Sequence, residues 1–298
     1  MKSQKKAYLF ALAAIACWST IGSAFKISLR YLDPLGLLFF SSFMACLVLF
    51  FILLAQGKLT LLKSLSIKDV LLSALLGFLN PFLYYVVLLR AYDLLQAQEA
   101  GTLNYIWPLF LVLLSIPMLK QKISLSSIFA ILISFTGIIV ISTHPDLTSH
   151  HLVSIPDSDR VMGIFLAVGS AVFWALYWIF NVRDQREAVS KLFLNFCFGF
   201  IYTFLAIVIT GTFQIPPWQA LTGAVYIGLF EMGITFVFWL NALRFSFTTA
   251  KVSNLIYLSP FISLIIIHFA VGEPILFSTF VGLMFIVTGI ILQQYLKR

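Results

Sequence analysis

The chain is poor in charge. Only 10% of its 298 residues are Asp, Glu, Lys or Arg, against about 25% in ordinary soluble domains. The acidic residues number eleven, while 61% of the chain is hydrophobic and includes thirty-one Phe. So few charges cannot cover the surface of a water-soluble protein of this size. A soluble fold is excluded, and an integral membrane protein is expected. Cysteine is scarce too. Cys17, Cys46 and Cys197 each stand in an apolar stretch, without the spacing of a metal or redox pair, and are expected to pack as small apolar residues. There are four histidines, His144, His150, His151 and His268, three of them in one polar stretch. No third ligand stands near the adjacent His150 and His151, so no metal is expected. His-Glu-x-x-His, Gly-x-Ser-x-Gly and a phosphate-binding loop are all missing. Their absence weighs against a membrane-embedded enzyme and against direct use of ATP, and no cofactor is expected.

Long apolar runs fill the space the charges leave. A helix crossing ~30 Å of hydrocarbon needs about 20 residues. Runs broken by charge, Gly and Pro predict ten spans, at 7–28, 35–55, 68–90, 96–119, 124–143, 161–182, 191–211, 218–243, 249–271 and 275–295. Short connections make the spans alternate in direction. Fifteen of the nineteen Lys and Arg then fall on one side and three, Arg30, Arg90 and Arg160, on the other, with Lys26 inside the first span. This bias places both termini in the cytoplasm. The net charge of +8 is therefore a topology signal facing anionic membrane lipid, and no nucleic-acid role is implied.

The chain also repeats itself. Thr136-Gly137-Ile138-Ile139 recurs 152 positions later as Thr288-Gly289-Ile290-Ile291, and Tyr105 and Pro108 fall on Tyr257 and Pro260. With small slips, Asn80 meets Glu231, Gly77 meets Gly228 and Trp18 meets Trp174. The expected fold is all-α, with ten transmembrane helices arranged as two five-helix repeats, residues 1–143 and 161–298. A polar outer linker, 144–160, joins them. Five is odd, so the second repeat enters the membrane from the opposite face. Inverted repeats are the architecture of secondary transporters, with the solute near the midplane between the halves. A channel or receptor is disfavoured by the lack of a long soluble domain or a filter-like loop.

These features resemble the drug/metabolite transporter superfamily, of the EamA kind. The resemblance rests on the paired repeats, the centres Pro108-Leu109-Phe110 and Ser259-Pro260-Phe261, and the turn Gly272-Glu273-Pro274. The first-half equivalent of that turn is Lys120-Gln121-Lys122, which lacks the acid. Within the superfamily, residues 99–110 (EAGTLNYIWPLF) and 17–20 (CWST) resemble the aromatic amino acid exporters. The resemblance implies export of amino acids, or similar amphipathic metabolites, through a bacterial inner membrane. A carrier of drugs, lipids or nucleotide sugars is the alternative within the same fold.

Polar residues inside spans mark where a small-molecule substrate would sit, because a charge at the bilayer centre costs about 2.5–3.5 kcal/mol on insertion scales. Glu231 is the sharpest of them. Its repeat mate Asn80 adjoins Pro81, and Tyr84 follows one turn on. Glu99, Asn104, Tyr105 and Trp107 crowd one end of the fourth span. Trp174, Tyr177, Trp178 and Asn181 make a single stripe on the sixth, with Trp18 as the mate of Trp174. Asn254 and Tyr257 make a similar stripe on the ninth. An aromatic cavity with a few amides and one acid suits a zwitterion with an apolar side chain. In a chain with 16% aromatics, such stripes also arise from packing alone. The sequence leaves the oligomeric state, the energy coupling and the direction of transport open.

Overall fold

The computed structural model describes residues 3–119, 125–143, 157–247 and 254–295, and every regular element among them is helical. The first half contains α1 (Gln4–Ser28), α2 (Pro34–Ala55) and α3 (Ile67–Gly77). A π-helical turn, Phe78–Leu83, joins α3 to α4 (Tyr84–Leu94). Next come α5 (Ala97–Asn104), α6 (Trp107–Leu119) and α7 (Leu125–Thr143). The second half contains α8 (Asp157–Arg183), α9 (Ala188–Thr210), α10 (Trp218–Phe230) and α11 (Ile234–Phe245). A 3₁₀ turn, Asn254–Leu258, leads into α12 (Ser259–Val271), and α13 (Phe277–Tyr295) follows.

Seven helical stretches are long and apolar enough to cross a membrane. Three shorter apolar helices, Ile128–Ile141, Leu255–Val271 and Phe277–Leu292, stand where the fifth, ninth and tenth spans are expected. The last residues of the expected linker 144–160, Asp157–Arg160, form the first turn of α8. Asp157 and Asp159 suit a helix N-terminus, where the macrodipole favours negative charge. The rest of that stretch, with His144, His150 and His151, lies outside the described residues.

Capping explains where the helices begin. The Asp33 carboxylate accepts from Leu35 N (3.0 Å) and Gly36 N (3.1 Å), and Pro34 takes the first helical position, where its missing N–H costs nothing. Ser66 and Asp69 form a reciprocal capping box at α3. Glu187 accepts from Ser190 N at 2.8 Å and starts α9.

Two contacts fix how the halves meet. α2 and α9 interlock through phenylalanines, with Phe39 against Phe204, Phe43 against Phe200 and Phe50 against Phe193 at ring separations of 6.3, 5.7 and 6.2 Å. Numbers rise along one helix as they fall along the other, so the two are antiparallel. The same holds for α7 and α13. A Cβ on Gly137 would lie 2.4 Å from Gly282 O, and one on Gly289 would lie 2.5 Å from Ala130 O. Only glycine permits backbones this close, a packing mode common between membrane helices. α1 packs on α10, α11 and α12, while α8 packs on α3, α4 and α6. Ile209, Phe269 and Phe165 are among the large apolar side chains left on the outside, as lipid contact requires.

Candidate functional site

Three spans break near their middle, and a 3₁₀ turn opens the described part of a fourth. Asn80 leaves the helical region (φ −151°, ψ 121°) beside Pro81, which cannot donate to the ladder. At the matching place in the second half, α10 stops at Phe230 and α11 starts at Ile234, so Glu231 sits in the gap. The turn at Tyr105 and Ile106 separates α5 from α6, and the Asn254–Leu258 turn precedes α12. Pro108 and Pro260 each take the second position of the helix that follows, where a missing N–H is tolerated.

A cavity among these helices has a volume of about 690 Å³. Aromatic pairs line it, with Phe236 packed behind Trp18 and Trp174. Tyr84 and Trp174 lie 4.7 Å apart, Trp18 and Trp239 5.5 Å, and Trp174 and Phe236 6.1 Å. Tyr84 OH donates to Asn104 Oδ1 (3.2 Å), and Asn104 Nδ2 donates to Ser170 Oγ (2.8 Å). Tyr105 OH is satisfied by Ile256 O at 2.7 Å.

Two polar atoms of this wall are buried without a hydrogen-bond partner. One is an acceptor, Glu231 Oε2, and the other a donor, the indole N–H of Trp178. Glu231 is only 8% exposed, and Tyr85 OH donates to its other oxygen, Oε1, at 2.9 Å. An unsatisfied buried polar group costs about 1–3 kcal/mol, and a charged one more. A wall that keeps both a free acceptor and a free donor is suited to a ligand that brings their complements.

The cavity reaches from the start of α5 to the last turn of α8, where Arg183 lines it and is exposed. At the opposite end, around the start of α5, hydrogen bonds join the two halves and tie Lys26 to the end of α4. Glu273 accepts from Ala97 N (2.9 Å) and Gln98 N (3.3 Å), placing a carboxylate on the N-terminus of α5. Gln98 donates to Pro274 O (2.6 Å) and accepts from Leu276 N (3.0 Å). Lys26 Nζ donates to Tyr92 O (2.7 Å) and Leu95 O (2.6 Å). Burial raises the Glu273 carboxyl above its ordinary range, against the downward pull of the Ala97 and Gln98 N–H groups and of Lys26.

Of the residues singled out from the sequence, nine line the cavity: Trp18, Tyr84, Asn104, Tyr105, Trp107, Trp174, Trp178, Glu231 and Tyr257. Glu99 does not. It is buried (1% exposed) and pairs with Arg160 Nη2 at 3.0 Å, and that same nitrogen also donates to Ile141 O. Asn80, Tyr177 and Asn181 sit behind the wall in a buried polar cluster. The side chain of Asn254 lies outside what is described. The sequence reading missed Gln98, Trp239 and Ser263 in the lining. Gln98 carried a signal, as a polar residue inside an apolar span, whereas Trp239 had none beyond being one aromatic among many.

Residues 5–143 and 161–293 match the EamA-like transporter family. An uncharacterized transporter of Clostridium kluyveri is 24% identical over 97% of this chain and 93% of its own length. The uncharacterized transporter YvbV of Bacillus subtilis is 25% identical over 93% of this chain and 88% of its own length. A third, from Archaeoglobus fulgidus, is 23% identical over 96% of this chain and 97% of its own. A protein of known crystal structure shares the fold at a TM-score of 0.66, with 21% identity over 99% of this chain and 98% of that one. The chain belongs to the EamA-like transporter family and is a multi-pass membrane transporter.

Proposed function

We propose that the protein is a secondary transporter of the bacterial inner membrane that exports amino acids with aromatic or other apolar side chains, or similar amphipathic metabolites, by alternating access between two inverted five-helix repeats. The observation that carries the solute class is the pair of unpartnered atoms in the cavity wall. The ammonium of an amino acid meets Glu231 Oε2, its carboxylate accepts from the Trp178 indole N–H, and its side chain lies against Trp18, Tyr84 and Trp174. A nucleotide sugar is less well served. It brings two phosphates, while the one cationic residue among the described lining residues is Arg183, at the mouth.

The helix contacts support the inverted arrangement. Exchanging each span for its counterpart five places on turns the contacts of α1 with α11 and α12 into those of α8 with α4 and α6. It also carries the α7–α13 glycine contacts onto themselves. Because the two helices of that self-matching pair are antiparallel, the exchange reverses direction across the membrane. With the basic residues marking the cytoplasm, both termini lie inside. The cavity then reaches the cytoplasmic face at Arg183, and the Glu273 contacts lie on the outside.

Efflux of a panel of labelled amino acids from vesicles holding the purified protein tests this reading. Glu231→Gln removes the charge and keeps the shape. It is expected to lower transport of accepted solutes about 10- to 100-fold, the worth of one charge-assisted contact. Unchanged transport of every accepted solute, or none accepted by the wild type, contradicts the reading.

A further inference from the structure

One end of the cavity is shaped around a single side chain. Leu88 and Tyr92, one turn apart on α4, both line the cavity, and Tyr92 is the last residue of α4 to do so. Tyr84 stands against Trp174 at 4.7 Å, and a Cβ on Gly163, near the start of α8, would lie 2.6 Å from Leu95 Cγ. α4 and α8 are therefore antiparallel, and Tyr92 lies at the end away from Arg183. Its hydroxyl reaches two other helices at once. A Cβ on Gly22 of α1 would lie 3.2 Å from that oxygen, and one on Gly101 of α5 would lie 2.8 Å from it. Both glycines line the cavity as well. The hydroxyl sits in a notch that exists because two facing positions carry no side chain.

The ring is held from several sides. Tyr92 is 6% exposed, and Phe25, 2% exposed, packs edge-on against it with centroids 5.2 Å apart. Lys26, one turn along α1 from Gly22, donates to Tyr92 O and Leu95 O, so the backbone under the ring is tied to α1. The same Cβ on Gly22 would meet Ile267 Cδ1 at 3.3 Å and Ser263 Oγ at 3.6 Å, which brings α12 of the second half up to the notch. Helices α1, α4 and α5 of one half and α12 of the other thus converge on one phenol. We propose that Tyr92 is the plug at the outer end of the chamber, seated in the Gly22–Gly101 notch, and that the chamber opens outward when the ring leaves this seat. The proposal rests on the alternating-access reading and holds for any solute.

The seat fits the hydroxyl in particular. With a methyl group at position 101 the ring carbon Cζ would lie 3.8 Å away, an ordinary contact, and the hydroxyl alone would be too close. Phenylalanine and alanine fit together where tyrosine and alanine do not. Alanine at 101 therefore penalises the seated ring and leaves the unseated one untouched, and loss of the hydroxyl cancels the penalty. Alanine also suits the interior of α5 better than glycine does, so the helix itself is not weakened by the change.

The test uses the full chain in right-side-out membrane vesicles, with Cys17, Cys46 and Cys197 replaced by serine. Ser115→Cys is the reporter. It lines the cavity on α6, one turn before Met118, whose carbonyl accepts from Arg183, and so lies far from Tyr92. A small membrane-impermeant methanethiosulfonate is supplied from the outer face. Gly101→Ala is expected to raise the labelling rate about tenfold, because the clash disfavours only the seated state. Adding Tyr92→Phe is expected to bring the rate back to within about twofold of the parent, as coupling through the hydroxyl requires. Tyr92→Ala removes the plug and is expected to raise labelling at least as far as Gly101→Ala, which decides the matter should the Gly101 variant fail to fold. Parent-level labelling in either single variant overturns the proposal. So does a raised rate that persists when Gly101→Ala is combined with Tyr92→Phe, since the alanine then acts through α5 itself. A parent never labelled from the outer face, with both single variants labelled, supports the plug and contradicts alternating access.

Discussion

Tyr177 and Trp178 are neighbours in the sequence and serve different chemistry. Successive helical residues are about 100° apart, so Tyr177 lies about 60° to one side of Trp174 and Trp178 about 40° to the other. A stripe that wide is split by the cavity wall. Trp174 and Trp178 face the chamber, and Tyr177 and Asn181 turn behind it. The sequence announced the stripe but not the line that divides it, because that line is set by where α4 and the Phe78–Leu83 turn press on α8. Glu99 shows the same limit. Its partner Arg160 lies 61 residues away across the linker, and nothing local to either residue marks the pair. Glu231 was legible alone, as the acid in the middle of an apolar span. The residue-scale account makes a prediction at Trp178. Trp178→Phe keeps a ring and removes the N–H. It is expected to weaken solute affinity about 10- to 100-fold, the worth of one hydrogen bond to a charged group, while a decarboxylated amine analogue of the same solute loses nothing. Equal losses for acid and amine in a competition assay would show that the indole N–H does not read the carboxylate.

At the scale of elements, the breaks in the helices matter more than the helices. Pro81 foretold the first of them, since proline cannot continue the ladder. Pro108 and Pro260 announced the turns at 105–106 and 254–258 that precede them. The break at Glu231 has no proline and rests on Gly233, whose backbone angles (φ −111°, ψ −94°) are non-helical. Only its repeat mate at Asn80 hinted at it. The short α5 depends on the other half of the chain for its start, through the Glu273 carboxylate on Ala97 N and Gln98 N. The turn 152 residues earlier in the sequence carries Gln121 in place of an acid and lies outside the described residues. Glu273→Ala is therefore expected to speed amide hydrogen exchange in the first turn of α5 by roughly tenfold. The first turn of α9, capped separately by Glu187, should be unaffected. Protection unchanged at Ala97 and Gln98 would mean that the turn holds itself.

For the molecule as a whole, the two-part organisation was the most legible feature of the sequence. A spacing of 152 residues between matching motifs and a lopsided distribution of Lys and Arg are both visible in an apolar chain, and the repeated Gly137 and Gly289 stand where α7 and α13 meet. The solute itself left a fainter trace, a few side chains whose orientation depends on packing between halves. The account's central claim is that one chamber, bounded by both halves, opens to each face in turn. The direct measurement places a single cysteine at Ser263, in the cavity lining, with Cys17, Cys46 and Cys197 replaced by serine. It then follows labelling by a membrane-impermeant maleimide supplied from either side. Labelling from both faces, slowed from both by an accepted amino acid, is the predicted result. Labelling from one face only, indifferent to solute, would contradict it.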